Sequence, residues 1–434
     1  MLKKLSKLHL FIFLFSFAGL AQETLTIENA IKIGLEKNYN VLIAKNNTEI
    51  AKAQNNPGNA GMSPEVSLNA NLNMATVNSH QEFNTGTIQD RTGANSSNMG
   101  TSLNVSWVVF DGLKMFAVKK RLNQTEQLSA FELKQQMENT VYEIILTYYD
   151  IVRINELIKA AEQNLEIYAE RKKIASLKLE IGSDSKVDLL LTRSDENKAK
   201  SNILQLQLQL ITAKAALNNL LIRAADIDFK TADSIISNYN PVLEDLKKTT
   251  ANNSSLLISK QRELIINQTI TEAKSANLPF VQLNGAYNFT RFQSQAGIIF
   301  LNRQMGPNIG ISAGWLLFQG NRNNRLIKER QINLLNQKYF TEQTKQEVDA
   351  IAYINFQNYL TYKKILELET QNLTDSKEVL NVSLERYRIG KTNLLETIET
   401  QKNLEDAQIR YINALFEVKK SETELLKANG TLVK

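Results

Sequence analysis

Trp107-Val-Val-Phe110-Asp-Gly112 recurs 208 residues later in the chain as Trp315-Leu-Leu-Phe318-Gln-Gly320. Two more matches share this offset, and an upstream match has an offset of 215 because the first half has a longer loop before Trp107. These are Gln163-Asn164-Leu165 with Gln371-Asn372-Leu373, Ile181-Gly182 with Ile389-Gly390 and, upstream, Pro64-Glu-Val66 with Pro279-Phe-Val281. Self-similarity at a fixed offset indicates a tandem duplication. We predict a first repeat over 22–222, a second over 243–430, and an inter-repeat linker or equatorial region over 223–255.

Each repeat contains two segments in which apolar and polar residues alternate. A period of two places them on opposite faces of a β-strand, so we predict strands at 64–77, 101–110, 280–291 and 307–318. The polar stretches 78–98 and 291–305 are expected to be long loops. The apolar faces end in aromatic residues, which are Trp107, Phe110, Trp315 and Phe318. Aromatic residues at both interfaces are typical of a transmembrane β-barrel, although a soluble antiparallel sheet with one solvated face would alternate in the same way.

Long stretches without proline or glycine follow each pair of strands and predict very long helices. The expected helices are 26–54, 113–180 and 186–222 in the first repeat and 243–276, 321–388 and 394–427 in the second. A helix of this length, about 100 Å at ~1.5 Å per residue, requires coiled-coil-like packing. Gly182 and Gly390 suit the turn that ends each long helix. Residues 204–210 alternate like a strand, but their counterpart 412–418 does not, so we predict helix there as well.

The N-terminus has the features of a secretory signal peptide. Three lysines precede an apolar stretch, and Gly19-Leu20-Ala21 offers small residues for cleavage after Ala21, so we predict a signal peptide at 1–21. Its removal takes away three lysines and no acid, which lowers the formal charge from +6 to +3. We therefore expect no nucleic-acid partner. The rest of the chain contains no run of 18 apolar residues, so we predict no transmembrane helix there.

Four strands cannot close a barrel by themselves. In lipid, each unpaired backbone group at an open sheet edge costs several kcal/mol. Strands in a membrane would therefore require several copies of the chain, and two or three copies would supply an allowed even number of strands.

Together these features resemble the TolC-like outer-membrane efflux proteins over nearly the whole mature chain. The matching stretches are Leu25-Thr-Ile-Glu28-Asn-Ala30, Phe110-Asp111-Gly112, Leu278-Pro279-Phe280-Val281 and Tyr387-Arg-Ile-Gly390-Lys-Thr392-Asn-Leu-Leu395-Glu396. The resemblance implies a mainly α protein with a β-barrel part. It also implies a homotrimer that forms a 12-stranded barrel in outer-membrane lipid and a long α-helical periplasmic tunnel. The expected function is an export duct of a tripartite efflux or type I secretion system, with a periplasmic adaptor (membrane fusion protein) and an inner-membrane transporter as partners.

The resemblance also assigns a pore constriction or gate near the helical tips. Position by position, it implies Asp188 in the first repeat and Tyr387, Thr392, Glu396 and Glu399 in the second, beside the tip turns. Thr392 stands where the best-known family member has a basic residue. From the sequence alone, Glu396 and Glu399 share one helix face, which is also what an ordinary solvated acidic face would show.

Composition argues against an enzyme. The chain has no cysteine and only two histidines, His9 and His80, which excludes thiolate and multi-histidine metal sites. No carboxylate pair stands out as a general acid and base. We predict no cofactor, no metal and no catalytic residue. The alternative function is a soluble periplasmic coiled-coil adaptor or scaffold, for which the four lipid-compatible strands would have no use.

Overall fold

The computed structural model describes residues 23–183, 185–237, 239–296 and 298–433. The predicted signal peptide lies outside these residues. The described residues are mainly α-helical and contain two sheets and a 3₁₀ turn at Thr250–Asn252. In chain order the elements are β1 (Glu23–Leu25), α1 (Ile27–Lys37), α2 (Tyr39–Gln54), β2 (Glu65–Glu82), β3 (Ile88–Phe110), α3 (Lys114–Glu180), α4 (Lys186–Leu220), β4 (Phe229–Thr231), α5 (Leu243–Thr249), α6 (Ser254–Ser275), β5 (Phe280–Ser294), β6 (Leu301–Gly314), α7 (Arg322–Arg388) and α8 (Leu394–Ala428). Among the described residues, no helix has both the length and the apolarity needed to cross a membrane.

The chain forms two compact units, each built from both repeats. Unit 1 contains the chain up to Asn38, Thr140–Tyr239 and Gln357–Thr423. Unit 2 contains Tyr39–Asn139, Asn240–Phe356 and the chain from Glu424 onward. The repeats are therefore interleaved in both units.

Unit 1 has an apolar core where α1 and the parallel pair β1–β4 pack on α3 and α4. Leu25, Ile144, Leu217 and Phe229 are almost fully buried there. Gly34 allows α1 to approach α3, because a Cβ at this position would lie 2.2 Å from Ile144 Cδ1. Burial of each large apolar side chain contributes about 1.5–3 kcal/mol, so this cluster fixes the first helix against the long ones.

Two predicted helices are each interrupted. Residues 26–54 form α1 and α2 rather than one helix, because the backbone of Asn38 is extended. The Asn38 side chain donates to Leu220 O at 3.0 Å, which holds this residue outside the helix. Residues 243–276 form α5, the 3₁₀ turn and α6, because Asn253 accepts from the backbone N–H of Ser255 and caps α6. Thr26 is the N-cap of α1, since its Oγ1 accepts from Asn29 N at 3.3 Å.

The long helices match their predicted bounds within two residues. Helices α3 and α7 have 67 residues each, and α4 and α8 have 35 each. Residues 204–210 are helical, as predicted, so helical packing overrides the local alternation of leucine and glutamine. The described part of the predicted linker 223–255 contains β4, α5, the 3₁₀ turn and the first residues of α6.

Unit 2 contains a four-stranded antiparallel sheet in the order β2-β3-β5-β6. The predicted loops at 78–98 and 291–305 are wrong over most of their length. The strands continue through these polar residues, and only residues 83–87 and 295–300 connect them. Backbone pairing between neighbouring strands suffices to extend a ladder whose side chains are polar. The last predicted strand is also too long, because β6 ends at Gly314, so Trp315 and Phe318 lie beyond it.

Candidate functional site

The sheet of unit 2 separates apolar from polar side chains across all four strands. One row of paired residues is Leu68, Leu103, Tyr287 and Pro307, and the next row on the same face is Val66, Val105, Gly285 and Ile309. The opposite face carries rows such as Ser67, Asn104, Ala286 and Asn308. Leu68, Ile309 and Ile311 are 72–87% exposed in the single chain. An apolar face this exposed requires a lipid or protein environment.

Both tryptophans of the repeated motif make the same hydrogen bond. Trp107 Nε1 donates to Met62 O at 2.9 Å, and Trp315 Nε1 donates to Asn277 O at 3.0 Å. Met62 lies just before β2, and Asn277 lies just before β5. Trp315 and Phe318 are 60% and 78% exposed, whereas Phe110 pairs with Val281 inside the sheet. A tryptophan with a satisfied N–H and an exposed ring suits a membrane interface.

The two helical tips in unit 1 begin with the same glycine turn. Gly182 and Gly390 have φ of +78° and +72°, which favour glycine. In the first tip, Ser183 N donates to Lys178 O at 2.8 Å. In the second, Lys391 N donates to Arg386 O at 2.8 Å. These bonds define a Schellman motif that ends α3 and α7.

The structure places the predicted gate acids in three different settings. Asp188 belongs to the capping box of α4, because its Oδ2 accepts from Ser185 N at 3.1 Å. Glu396 accepts from the Thr392 hydroxyl and forms an ion pair with Arg386 at 3.3 Å. Glu399 is exposed on the next turn of α8. The charge of Glu396 is therefore partly balanced within the chain.

Tyr387 is buried between the two tips, only 1% exposed, in a cluster with Ile174 and Leu394. Lys178 Nζ lies 4.1 Å from the centre of its ring, a favourable cation–π contact.

A second link between the tips is an ion pair that no sequence pattern predicts. Arg388 on α7 meets Glu170 on α3 at 2.6 Å. The two residues are 218 positions apart in the chain, and no local pattern connects them.

A buried polar network joins α3, α4 and α8 in unit 1. Arg171, 1% exposed, donates to Asp195 at 2.7 Å and to Gln401 at 2.9 Å. Burial lowers the pKa of Arg171, and burial raises the pKa of Glu405. Further along α3 and α8, Asn164 donates to Gln408 at 2.7 Å. The network lines a cavity of about 570 Å³, so contact between the first and second repeats depends on polar side chains here.

Comparison with known proteins decides the family. A model of the family described as outer membrane efflux protein matches residues 30–221 and 246–431, one stretch in each repeat. The chain belongs to the outer membrane efflux protein family. It is an efflux duct of the outer membrane with a large periplasmic helical part. This rejects the alternative of a soluble scaffold.

Several members of the family resemble the chain over most of its length. The cobalt-zinc-cadmium resistance protein CzcC of Cupriavidus metallidurans is 21% identical, covering 94% of this chain and 90% of that protein. Toxin and drug export protein A of Aggregatibacter actinomycetemcomitans is 20% identical, covering 87% and 82%. The CmeC outer membrane channel of Campylobacter jejuni has 17% sequence identity and a TM-score of 0.79, covering 94% of this chain and 86% of that one.

Family members are channels rather than enzymes. The described residues also contain no group of three or more His, Cys, Asp or Glu side chains placed to hold a metal ion.

Proposed function

We propose that three copies of this efflux protein combine their sheets into one 12-stranded barrel in outer-membrane lipid. The observation that supports this proposal is the exposed apolar face of the sheet, together with the unpaired edges of its two terminal strands. Within the described part of the chain, β2 and β6 each have a strand partner on one side only. Pairing with strands of the neighbouring copies would satisfy the backbone hydrogen bonds of β2 and β6. In lipid these groups have no water to bond instead.

The repeat supplies the register of that closure. Inside the chain, Leu103 of β3 pairs with Tyr287 of β5, and Trp107 pairs with Leu283. Applying the repeat offsets of 208 and 215 places Ile311 opposite Leu72, and Trp315 opposite Leu68, of the neighbouring copy. This register keeps the apolar faces of β6 and β2 on the same side of the barrel, as strand pairing across a buried face demands. It also gives Trp315 and Phe318 a strand partner that they lack in the single chain.

Cysteine crosslinking tests the register directly, since the chain has no cysteine of its own. Paired residues in an antiparallel sheet have Cα atoms about 4.5–5.5 Å apart, within disulfide range. We expect the double variant Leu72→Cys with Ile311→Cys to give covalent dimers and trimers under oxidising conditions. Leu103→Cys with Tyr287→Cys is the matched control, because it reproduces the same pair within one chain and should stay monomeric.

A register control uses Asn73→Cys with Ile311→Cys, which places the thiols on opposite faces. Crosslinking of this pair, or none for Leu72→Cys with Ile311→Cys, would refute the proposed closure.

We also propose that the helical tips form the pore constriction. Asp188, Tyr387, Thr392, Glu396 and Glu399 are the residues assigned to it, beside the turns at Gly182 and Gly390. The shared Schellman turns and the exposure of Glu399 support this assignment. With Thr392 in place of a basic residue, the buried cluster of Tyr387, Ile174 and Leu394 joins the tips of one chain. The contacts of Arg388 with Glu170 and of Lys178 with Tyr387 add to it.

The duct would work with an inner-membrane transporter and a periplasmic adaptor, as either a tripartite efflux system or a type I secretion system. The names of its relatives, a metal-resistance protein and a toxin and drug export protein, support export as the common role. Crosslinking in cells followed by purification of this chain would identify the transporter. Recovery of the duct with neither an adaptor nor a transporter would contradict this partnership.

A further inference from the structure

The turn between β5 and β6 is unexpectedly apolar. Ile298, Ile299 and Phe300 are 76%, 61% and 57% exposed. The corresponding turn of the first repeat, residues 83–87, is Phe-Asn-Thr-Gly-Thr. Three consecutive exposed apolar side chains at a turn need a partner or an apolar environment.

The turn folds over the polar face of the sheet. Side chains alternate along a strand, so Phe292 and Ser294 share the face of Asn288 on β5, and Gln81 shares the face of Asn73 on β2. A cavity of about 390 Å³ is lined by Gln81, Phe83, Phe292, Ser294, Ala296, Ile298 and Ile299.

Hydrogen bonds fix the start of this turn along β3. Gln295 N donates to Asn95 O at 3.0 Å, and Ala296 N donates to the Ser294 hydroxyl at 3.2 Å. Ala94 and Ala296 are buried as a result. The turn therefore lies on the side that would face the barrel interior.

The neighbouring copy brings its own turn to the same place. Translated by the repeat offsets, the last pair of β3 with β5, Ser96 with Ser294, places the neighbour's Gln304 opposite Ser79. Three further residues along each strand bring the neighbour's Leu301, where β6 begins, to the level of Glu82, where β2 ends. The neighbour's Phe300 then arrives beside Phe83, which already lines a cavity with this copy's Ile299. This contact is continuous with the strand pairing that closes the barrel.

We propose that the three β5–β6 turns meet inside the far end of the barrel and form an apolar constriction there. The inference rests on the proposed trimeric barrel. This end lies opposite the end of the sheet from which α3 and α7 begin, so it is the outer mouth of the duct. A 12-stranded barrel is roughly 25 Å across between backbones, from a ~4.8 Å strand spacing and a ~40° tilt. Three apolar turns folded into this width would leave a narrow pore that resists wetting and slows hydrated ions.

A single cysteine tests whether the turns meet. In Ile299→Cys, a short bismaleimide should link two of the three copies in outer-membrane preparations and leave the third as monomer. Thr85→Cys, in the polar turn of the first repeat, is the matched control and should remain monomeric. Attachment of a bulky thiol reagent to Ile299→Cys in planar bilayers should also cause a loss of single-channel current, with no loss for Thr85→Cys.

The outcomes separate this inference from the barrel on which it rests. If Ile299→Cys gives only monomer while Leu72→Cys with Ile311→Cys still crosslinks, the barrel stands and the apolar constriction is wrong. Equal crosslinking or equal current loss at Thr85→Cys also overturns it, because the contact would then not be specific to the apolar turn. If the Leu72 and Ile311 pair itself fails, the barrel fails and the constriction with it.

Discussion

Replacing Arg171 with methionine should loosen the contact between the two repeats in unit 1. The guanidinium is 1% exposed and bonds Asp195 on α4 and Gln401 on α8. Removing one partner of a buried ion pair costs about 3–5 kcal/mol, because the other charge stays buried without compensation. We expect the lower end, about 3 kcal/mol. Asp195 is 20% exposed, and Lys198 lies 3.5 Å from it as a second cation.

Hydrogen exchange of the α8 backbone amides around Gln401 measures this effect locally. A loss of about 3 kcal/mol corresponds to amide exchange on the order of 100-fold faster, where exchange occurs through local opening. Arg193→Met is the matched control, since Arg193 is an exposed cation on α4 near the same tip. It should change the opening free energy by less than about 0.5 kcal/mol.

A double variant separates charge from packing. Methionine keeps an apolar stem of similar length, so the expected cost comes from the carboxylate left at Asp195 and from the buried acceptor left at Gln401. Arg171→Met with Asp195→Asn should therefore recover part of the stability. If exchange in Arg171→Met equals that in Arg193→Met, or if the double variant recovers nothing, the reasoning about the buried charge is refuted.

Two further predictions concern α8. Burial raises the pKa of Glu405, so the folded chain binds this proton more tightly than the unfolded chain, and ionisation costs stability at pH above the folded pKa. Glu405→Gln should therefore raise Tm at pH 8 and lose this advantage as the pH falls to about 4; an advantage that grows toward acid pH would contradict this sign. In planar bilayers, Glu396→Ala combined with Glu399→Ala should lower cation selectivity, measured as the reversal potential in a KCl gradient. Because Arg386 partly balances the charge of Glu396, Glu399→Ala alone should cause the larger share of the loss in selectivity. An unchanged reversal potential would show that these acids do not line the pore.

Sequence patterns predicted the strands and long helices because a period of two and the absence of proline and glycine act locally. The interruptions at Asn38 and Asn253 were missed because they depend on tertiary bonds, to Leu220 O and Ala428 O respectively. The polar strand ends were missed for a related reason. Their pairing comes from backbone hydrogen bonds to a neighbouring strand, as between Asn95 and Thr76, and carries no apolar pattern.

The candidate site shows the same division between local and distant contacts. The turns at Gly182 and Gly390 could be located from the sequence because a positive φ after a long helix favours glycine. The contacts of Arg388 with Glu170 and of Lys178 with Tyr387 could not, since each joins two repeats that are distant in sequence. The resemblance assigns Asp188 to the gate, and its capping bond to Ser185 gives it a local structural role as well.

Duplication gives this chain two versions of one strand contact. The contact of β3 with β5 is made within the chain, and the contact of β6 with β2 is proposed between chains with the same register. A closed ring of three chains would therefore contain six similar repeats. Each repeat would have one neighbour in its own chain and one in the next chain. The alternation becomes functional where the repeats differ. The polar turn at 83–87 alternates with the apolar turn at 298–300. At the helical tips, Asp188 alternates with Glu396, its counterpart at the offset of 208, and Leu191 alternates with the exposed Glu399. In the proposed ring, three apolar turns at the barrel end and three exposed copies of Glu399 at the helical tips would narrow the pore at two places.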